Sequence, residues 1–489
     1  MPADEVLLGG EWKPGRGEVL TPTDPATGRA LGTIHAASVE QVDEAVRRGI
    51  AAAHDAGWRG LLPHERARYL TRVAALIDRD ADSLAALQTA NTGKTLAETR
   101  ALVSSAAGTF RYVAAALETL EEAVTPSRGA YLTMTAHEPI GVVGAITPWN
   151  SPIASEAQKL APALAAGNAV ILKPAEWTPL IALALGRLVE EAGLPPGLLS
   201  VLPGRGSVIG ESIVRHPLVG KVSFTGGTAT GRAIGRIAAD KIMPVTLELG
   251  GKSPTIVFAD ADIEHALAGV MFGIFSSSGQ SCIAGSRLFV QRPVYDGFVA
   301  QLVARTRRLR VGPGTDPTTQ VAPLVSTAHR DRVARYVDLA RSEGARVLCG
   351  GTAPDGPEFA DGAYYLPTVL AGLDNQARTC QEEIFGPVVV VLPFDTEDDL
   401  VAGANDTAYG LACGIWSQDY KRIWRVAHAI DAGTVWVNTY KQFSASTPFS
   451  GAKESGLGTE KGREGIRSYT RQKSIYLGLN DTPLPWANP

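Results

Sequence analysis

The spacing of hydrophobic positions changes character twice along the chain. After a short lead, apolar residues recur at helical spacing. Ser38-Val-Glu-Gln41 has the spacing of a capping box and opens an Ala-rich helix to about Asp55. Pro63 suits the first turn of a second helix, whose Leu70, Val73, Ala74 and Ile77 share one face. A third helix is predicted from about Lys94 to Glu121. Tyr131–Thr135 then alternates as a half-exposed strand does. From 139 to 258, short apolar runs alternate with helical stretches. The runs are 140–147, 168–173, 198–202, 221–225 and 244–249, and a second series follows near 253–258, 388–394 and 434–438. Short apolar strands separated by helices predict βαβ units in a parallel, doubly wound sheet. Ligands of such sheets bind beyond the carboxyl ends of the strands. The fold class read from this pattern is α/β, with two such domains.

Length and composition narrow the picture. A chain of 489 residues suffices for two or three domains. Lys and Arg number 46 against 50 Asp and Glu, a net charge of −4, without the basic excess of a nucleic-acid binder. The start, MPADEVLLGGEWKPG, lacks the basic and apolar regions of a signal peptide. No run approaches the ~18 apolar residues of a membrane span. Cys282, Cys349, Cys380 and Cys413 include no CxxC pair, which leaves neither a disulfide framework nor a zinc site. The expectation is a cytoplasmic protein with reduced thiols and no resident metal.

Several motifs fail on inspection. Gly204 to Gly210 is one residue too long for the dinucleotide fingerprint, and Gly226 to Gly231 lacks the Lys-Ser/Thr of a P-loop. Neither HExxH nor GxSxG occurs. Other groups carry candidate chemistry, each beside a plainer reading. Lys221–Gly231 runs a strand into a helix through a Gly-rich turn, which is a phosphate cradle or simply a tight turn. Lys173 and Glu176 follow a buried strand, where a carboxylate can accept ribose hydroxyls or merely face solvent. Cys282, among small and polar residues, reads as a reachable thiol rather than a core cysteine. Glu248 ends an apolar strand before Gly250 and Gly251, as a candidate base of raised pKa or a solvated strand end. Asn150 offers a neutral N–H donor suited to an oxyanion, or serves its turn.

The joint order of these signals is more specific than any one of them. PWN, KPAE, the FTGG turn, LELGGKSP, GQSCIAGSR and EEIFGPV follow one another, and TPFSGAKESGLG and YTRQKSIYLGL close the chain. Together they resemble the NAD(P)-dependent aldehyde dehydrogenase superfamily across nearly its whole length. The resemblance implies that Cys282 is the nucleophile, Glu248 the general base and Asn150 the oxyanion donor. It implies cofactor contacts from Thr147, Pro148, Trp149, Lys173, Glu176, Gly206, Phe224, Gly226, Gly227, Leu249, Glu383 and Phe385. A substrate pocket is expected from Ser151, Ser155, Gln158, Phe275, Ser276, Ser281, Ile283, Phe443 and Phe449, with Lys441 near its mouth.

Departures from relatives refine this. Gly227 stands where many carry Ser and Ala229 where many carry Glu, while Glu176 would repel a 2′-phosphate, favouring NAD over NADP. The serines and Gln158 replace large apolar side chains, which suggests a bulky, aromatic or functionalised aldehyde. The alternatives are a CoA-acylating semialdehyde dehydrogenase and an inert binding protein of the same fold. The implied organisation is a cofactor domain over 1–119 and 137–250, a catalytic domain over 251–450, and an oligomerisation arm with the tail over 120–136 and 451–489. The arm predicts a dimer or tetramer.

Overall fold

The computed structural model describes residues 5–481 and Trp486. The first predicted helix forms over Val39–His54 behind the expected capping box. Ser38 Oγ accepts the Gln41 N–H at 3.3 Å, and Gln41 Oε1 accepts the Ser38 N–H at 3.0 Å. The second spans Pro63–Arg79 and buries Leu70, Val73, Ala74 and Ile77. The third is Leu96–Leu117, opened by a further capping box between Thr95 and Glu98. An additional helix, Ala81–Thr92, precedes it. Four of its six buried residues are Gln88, Thr89, Asn91 and Thr92, so it lacks the apolar stripe that announces a helix in sequence.

Two main sheets organise the chain. The first has eight strands in the order Glu11–Pro14, Glu5–Leu8, Leu199–Val201, Ala169–Lys173, Val142–Ile146, Lys221–Thr225, Val245–Glu248 and Gly456–Leu457. Its five inner strands, from Leu199–Val201 to Val245–Glu248, are parallel. The chain runs outward in one direction from Val142–Ile146 and in the other from Lys221–Thr225, so the topological switch point lies between those neighbours. Their register sets Ile146 beside Lys173, Phe224 beside Ile146, and Thr225 beside Glu248. Four strand ends therefore finish at one level.

The second sheet has seven strands, in the order Arg346–Cys349, Thr368–Ala371, Val388–Phe394, Arg287–Gln291, Pro254–Val257, Ala412–Trp416 and Thr434–Val437, all parallel except the first. Both its faces are covered. Val389 and Val391 pack in one core while Val388, Val390 and Leu392 pack in the other, the two-sided burial typical of parallel sheets. The strands Arg287–Gln291, Thr368–Ala371 and Ala412–Trp416 were not anticipated. The first opens on a fully buried Arg287, whose guanidinium is held by the carbonyls of Lys252, Gly403 and Ala404.

The predicted strand at Tyr131 extends to Pro139 and pairs antiparallel with Thr470–Gly478 and with Val124–Thr125. The structure differs from the sequence expectation over 451–469. Leu457 and Gly456 pair with Leu247 and Glu248 of the first sheet, and Ile466 and Tyr469 enter that sheet's core. Only from Thr470 does the chain join the arm. Among the described residues no helix is long and apolar enough to cross a membrane.

Candidate functional site

The strand ends of the first sheet open into a cleft of about 640 Å³ at the switch point. Thr147, Pro148 and Trp149 form one wall, with Lys173, Glu176, Gly206, Phe224, Gly226 and Gly227 around them. Thr147 is tied to the neighbouring strand through its N–H, which donates to the Lys173 carbonyl at 3.1 Å. Lys173 Nζ lies 3.3 Å from Glu176 Oε2, with Lys173 buried and Glu176 partly exposed. Gly227 is the N-cap of the helix Thr228–Lys241, and a Cβ built on it would meet nothing within 4 Å. Exposed amides at a 14-residue helix start, with open space above them, suit a phosphate.

A second cleft of about 510 Å³ continues from the first through Pro148, Trp149, Gly226 and Gly227. It adds Asn150, Leu249, Cys282, Glu383 and Phe385. Every cofactor-contact residue expected from the sequence thus lines one of two joined clefts. Trp149 lies at its centre, 5.2 Å from the rings of both Phe385 and His329 and 5.8 Å from Trp177. Phe385 holds φ at 62°, and its carbonyl stands 2.7 Å from His329 Nε2. Burial lowers His329 to about 4, so its ring is neutral near pH 7.

Two glycines let the sheets approach each other. Gly251 donates its N–H to Glu383 Oε1 at 3.0 Å. A Cβ on Gly250 would come 2.6 Å from Glu383 Oε2, and one on Gly251 would come 2.3 Å from the Cys282 carbonyl oxygen. Gly279 holds φ +69°, and a Cβ there would meet the Gly386 carbonyl at 2.0 Å. Ser277 and Ser278 also take positive φ, held through the Ser277 N–H to Glu98 Oε1 and Ser278 Oγ to the Ala322 carbonyl. The Cys282 loop is therefore braced from several elements.

The acidic groups here are out of water. Glu248 is buried at the end of its strand, and neither carboxylate oxygen has a hydrogen-bond partner. Burial first, then the Glu460 charge, raises its carboxyl well above the ordinary value, while Lys159 and Lys461 pull the other way. Glu383 is raised to about 7 by burial. The Cys282 thiol is pushed up to about 12 by burial and then by the Glu383 and Glu248 charges. Such a thiol rests protonated at neutral pH and needs a base to act. Asn150 Nδ2 donates to the Gln280 carbonyl at 3.0 Å, which links it to the Cys282 loop.

The expected substrate residues divide. Ser281 and Ile283 flank Cys282, though Ile283 is buried in the core and its carbonyl accepts from Tyr440 Oη at 3.0 Å. Ser151 precedes the helix Pro152–Ala165 and Ser155 lies one turn on. Gln158 is turned away to Glu460 Oε2 at 2.6 Å. Phe443 and Phe449 meet edge to face at 5.6 Å. Ser276 accepts from Lys441 Nζ at 2.8 Å. Phe275 is packed in the core of the second sheet and lines, with Phe272 and Ser276, a cleft of about 610 Å³ that does not include Cys282. The exposed Phe272 lies one helical turn before Ser276, whose hydroxyl donates to its carbonyl at 2.5 Å.

Some residues of the site had no sequence signal. His329 arrives from a distant element, while Trp177 directly follows Glu176 of the KPAE motif and could have been read with it. Lys159, Ser223 and Glu460 form a buried hydrogen-bonded group behind Glu248, with Lys159 Nζ 2.5 Å from Glu460 Oε1 and 3.0 Å from Ser223 Oγ. Lys461, beside Glu460, places Nζ 4.0 Å over the Phe443 ring. A buried Lys159 at helical spacing could have raised suspicion, but its partner lies 301 residues away.

Comparison with known proteins agrees with this geometry. A betaine aldehyde dehydrogenase of Staphylococcus aureus, solved with NAD+, is 36% identical and superposes with a TM-score of 0.97 over 99% of this chain and 98% of its own. An aldehyde dehydrogenase of Bacillus cereus, also solved with NAD+, is 38% identical with a TM-score of 0.95 over 98% and 97%. PnpE of Pseudomonas sp. WBC-3 is 39% identical with a TM-score of 0.96 over 99% of each chain. The sequence model of the aldehyde dehydrogenase family matches residues 12–475, and with Cys282 in the second of the two joined clefts, the chain belongs to that family.

Proposed function

We propose that the protein oxidises an aldehyde to its carboxylic acid with NAD, Cys282 acting as nucleophile and Glu248 as base. The observation that carries this is the unpartnered, buried Glu248 carboxylate whose charge acts on the Cys282 thiol in the second cleft. The residues fit the cofactor. The open Gly227 helix start suits its pyrophosphate, Glu176 and Lys173 its adenosine ribose, and Glu383 its second ribose, with Trp149 and Phe385 beside the ring. When bound, NAD supplies the hydride acceptor.

The chain's own residues do the rest. Glu248 takes the proton of Cys282, and the thiolate attacks the carbonyl carbon to give a thiohemiacetal. Its developing O⁻ needs neutral donors, which the Asn150 amide and the Cys282 N–H supply. Loss of hydride leaves a thioester. Glu248 passes the proton taken from Cys282 to solvent, then accepts a proton from water as that water attacks the thioester, and returns it to the departing Cys282 sulfur, releasing the acid and the thiol. A carboxylate kept for that hydrolysis favours an acid product over acyl transfer to CoA.

Lys441 bonded to Ser276, and Lys461 over the Phe443 and Phe449 rings, support a bulky, aromatic or otherwise functionalised substrate. The outer strand Thr470–Gly478, with Ile475, Tyr476 and Leu477 exposed, supports self-association through the arm. Four free cysteines suit work in the reducing cytoplasm. The test is NADH formation with a panel of aldehydes, by wild type and Cys282→Ala. Turnover that disappears in the variant supports the reading. NAD binding without turnover of any aldehyde, or full activity in the variant, overturns it.

A further inference from the structure

Two ammonium groups within electrostatic reach of Cys282 form no ion pair among the described residues. Lys461 Nζ stands 4.0 Å from the Phe443 ring centre and 5.7 Å from that of Phe449. Lys441 Nζ donates to Ser276 Oγ at 2.8 Å and lies 5.8 Å from the Phe272 ring. Both side chains are half-buried, and among the described residues neither forms an ion pair. Two other buried lysines of this chain are satisfied, whereas Lys94 forms no ion pair among the described residues. Lys159 pairs with Glu460, and Lys252 donates to the Glu382 carbonyl at 2.8 Å.

The nearby carboxylates of Glu460 and Glu98 are already engaged. Glu460 is held by Lys159, Ser223 and Gln158, and Glu98 by the N–H groups of Thr95 and Ser277, while Glu248 acts on Lys461 through its charge without forming an ion pair. Lys441 and Lys461 also take φ values of 54° and 60°, a strained backbone for a side chain with Cβ, which concentrates at working sites. Burial lowers both ammonium groups, Lys441 to about 7 with the Lys94 charge adding to the fall, while Glu98 and then Cys282 raise Lys441, and Glu460, Glu248 and then Cys282 raise Lys461. Both are therefore within electrostatic reach of the thiol. A cation held against aromatic faces, with no anion of its own, is a receptor for an incoming one.

We propose that Lys441 and Lys461 form an anion-recognition pair at the outer end of the substrate pocket, selecting aldehydes that carry a carboxylate remote from the carbonyl. The inference rests on the proposed role of Cys282, since it places the pair on the far side of the bound aldehyde from that thiol. Phe443 and Phe449 then pack on the apolar body of the substrate, and its carboxylate displaces the ring face as the partner of Lys461.

The test compares 4-carboxybenzaldehyde with its neutral isostere 4-carbamoylbenzaldehyde, and 5-oxopentanoate with pentanal. Wild type is expected to favour the acid of at least one pair by about tenfold or more in kcat/KM. That ratio is expected to fall about tenfold in Lys461→Gln or Lys441→Gln, mainly through KM, and to return in the Lys→Arg variants. The ratio is the proper readout because both members of a pair use the same thiol and base. Turnover of both members without preference in either pair overturns the inference alone, as does a preference untouched in both Lys→Gln variants. Failure to oxidise any of the four, with NAD bound, overturns the reading of the reaction as well.

Discussion

The Glu383 carboxylate accepts the backbone N–H of Gly251 at 3.0 Å, a hydrogen bond that joins the two halves of the cleft. The neighbouring Gly250 leaves room for it, since a Cβ there would press on Glu383 Oε2 at 2.6 Å. That carboxylate is the end of a side chain and can move. Gly250→Ala is expected to fold and to raise KM for NAD about tenfold. Gly251→Ala is different, because its Cβ would meet the Cys282 backbone carbonyl at 2.3 Å. It is expected to lose both activity and thermal stability. NAD titration and a melting curve on both variants check the contrast, and equal behaviour of the two would contradict it.

Glu248 bears on the pH profile. Its carboxyl is raised by burial and by Glu460, against the pull of Lys159 and Lys461, and its charge acts on the Cys282 thiol. A raised carboxyl is a base only once pH passes its pKa. Steady-state kcat is therefore expected to climb from pH 6 towards 9. Glu248→Gln is expected to lower kcat by roughly 10²–10⁴-fold. Rapid-mixing measurement of NADH checks both points, and an unchanged profile in the variant would remove Glu248 from the base role.

Glu176 sits 3.3 Å from Lys173 at the far end of the first cleft. A negative carboxylate there opposes a 2′-phosphate. Glu176→Gln is expected to raise kcat/KM for NADP relative to NAD about tenfold. Parallel titrations with both cofactors decide it, and an unaltered ratio would mean that discrimination lies elsewhere.

Glu156 is fully buried, and neither of its carboxylate oxygens has a partner. Burial alone raises it to about 8. Because the folded value exceeds the unfolded one of about 4.3, the folded chain keeps a proton that the unfolded chain releases. The associated stability is complete below the unfolded value and is lost as pH rises through about 8. Glu156→Gln removes that dependence. Relative to wild type, the variant is expected to gain on the order of 3 kcal/mol between pH 5 and pH 9. Melting curves at both pH values measure it, and a difference that does not grow with pH would refute it.

Much of the fold was legible in the sequence because local rules wrote it. The capping box at Ser38, Pro63 at a helix start and the apolar strands ending at Ile146, Lys173, Thr225 and Glu248 needed only neighbours in the chain. The helix Ala81–Thr92 escaped because it buries polar residues, and Arg287–Gln291 because it opens on a charge. The segment 451–469 escaped because pairing of Leu457 with Leu247 is settled by distant geometry, not by any local pattern.

The candidate site divides in the same way. Cys282, Glu248, Asn150 and the cleft-lining residues were recognisable as short motifs in a fixed order. Sequence alone therefore determined the α/β class, the family resemblance and the kinds of reacting group. Tertiary structure decided which groups share an environment. It moved Phe275 into the core, turned Gln158 to Glu460, brought His329 to Trp149 and left Lys441 and Lys461 without acidic partners. The physical reason is that protonation and selectivity depend on burial and on charges hundreds of residues away, such as Glu460 acting on Glu248, and burial exists only once the sheets have packed.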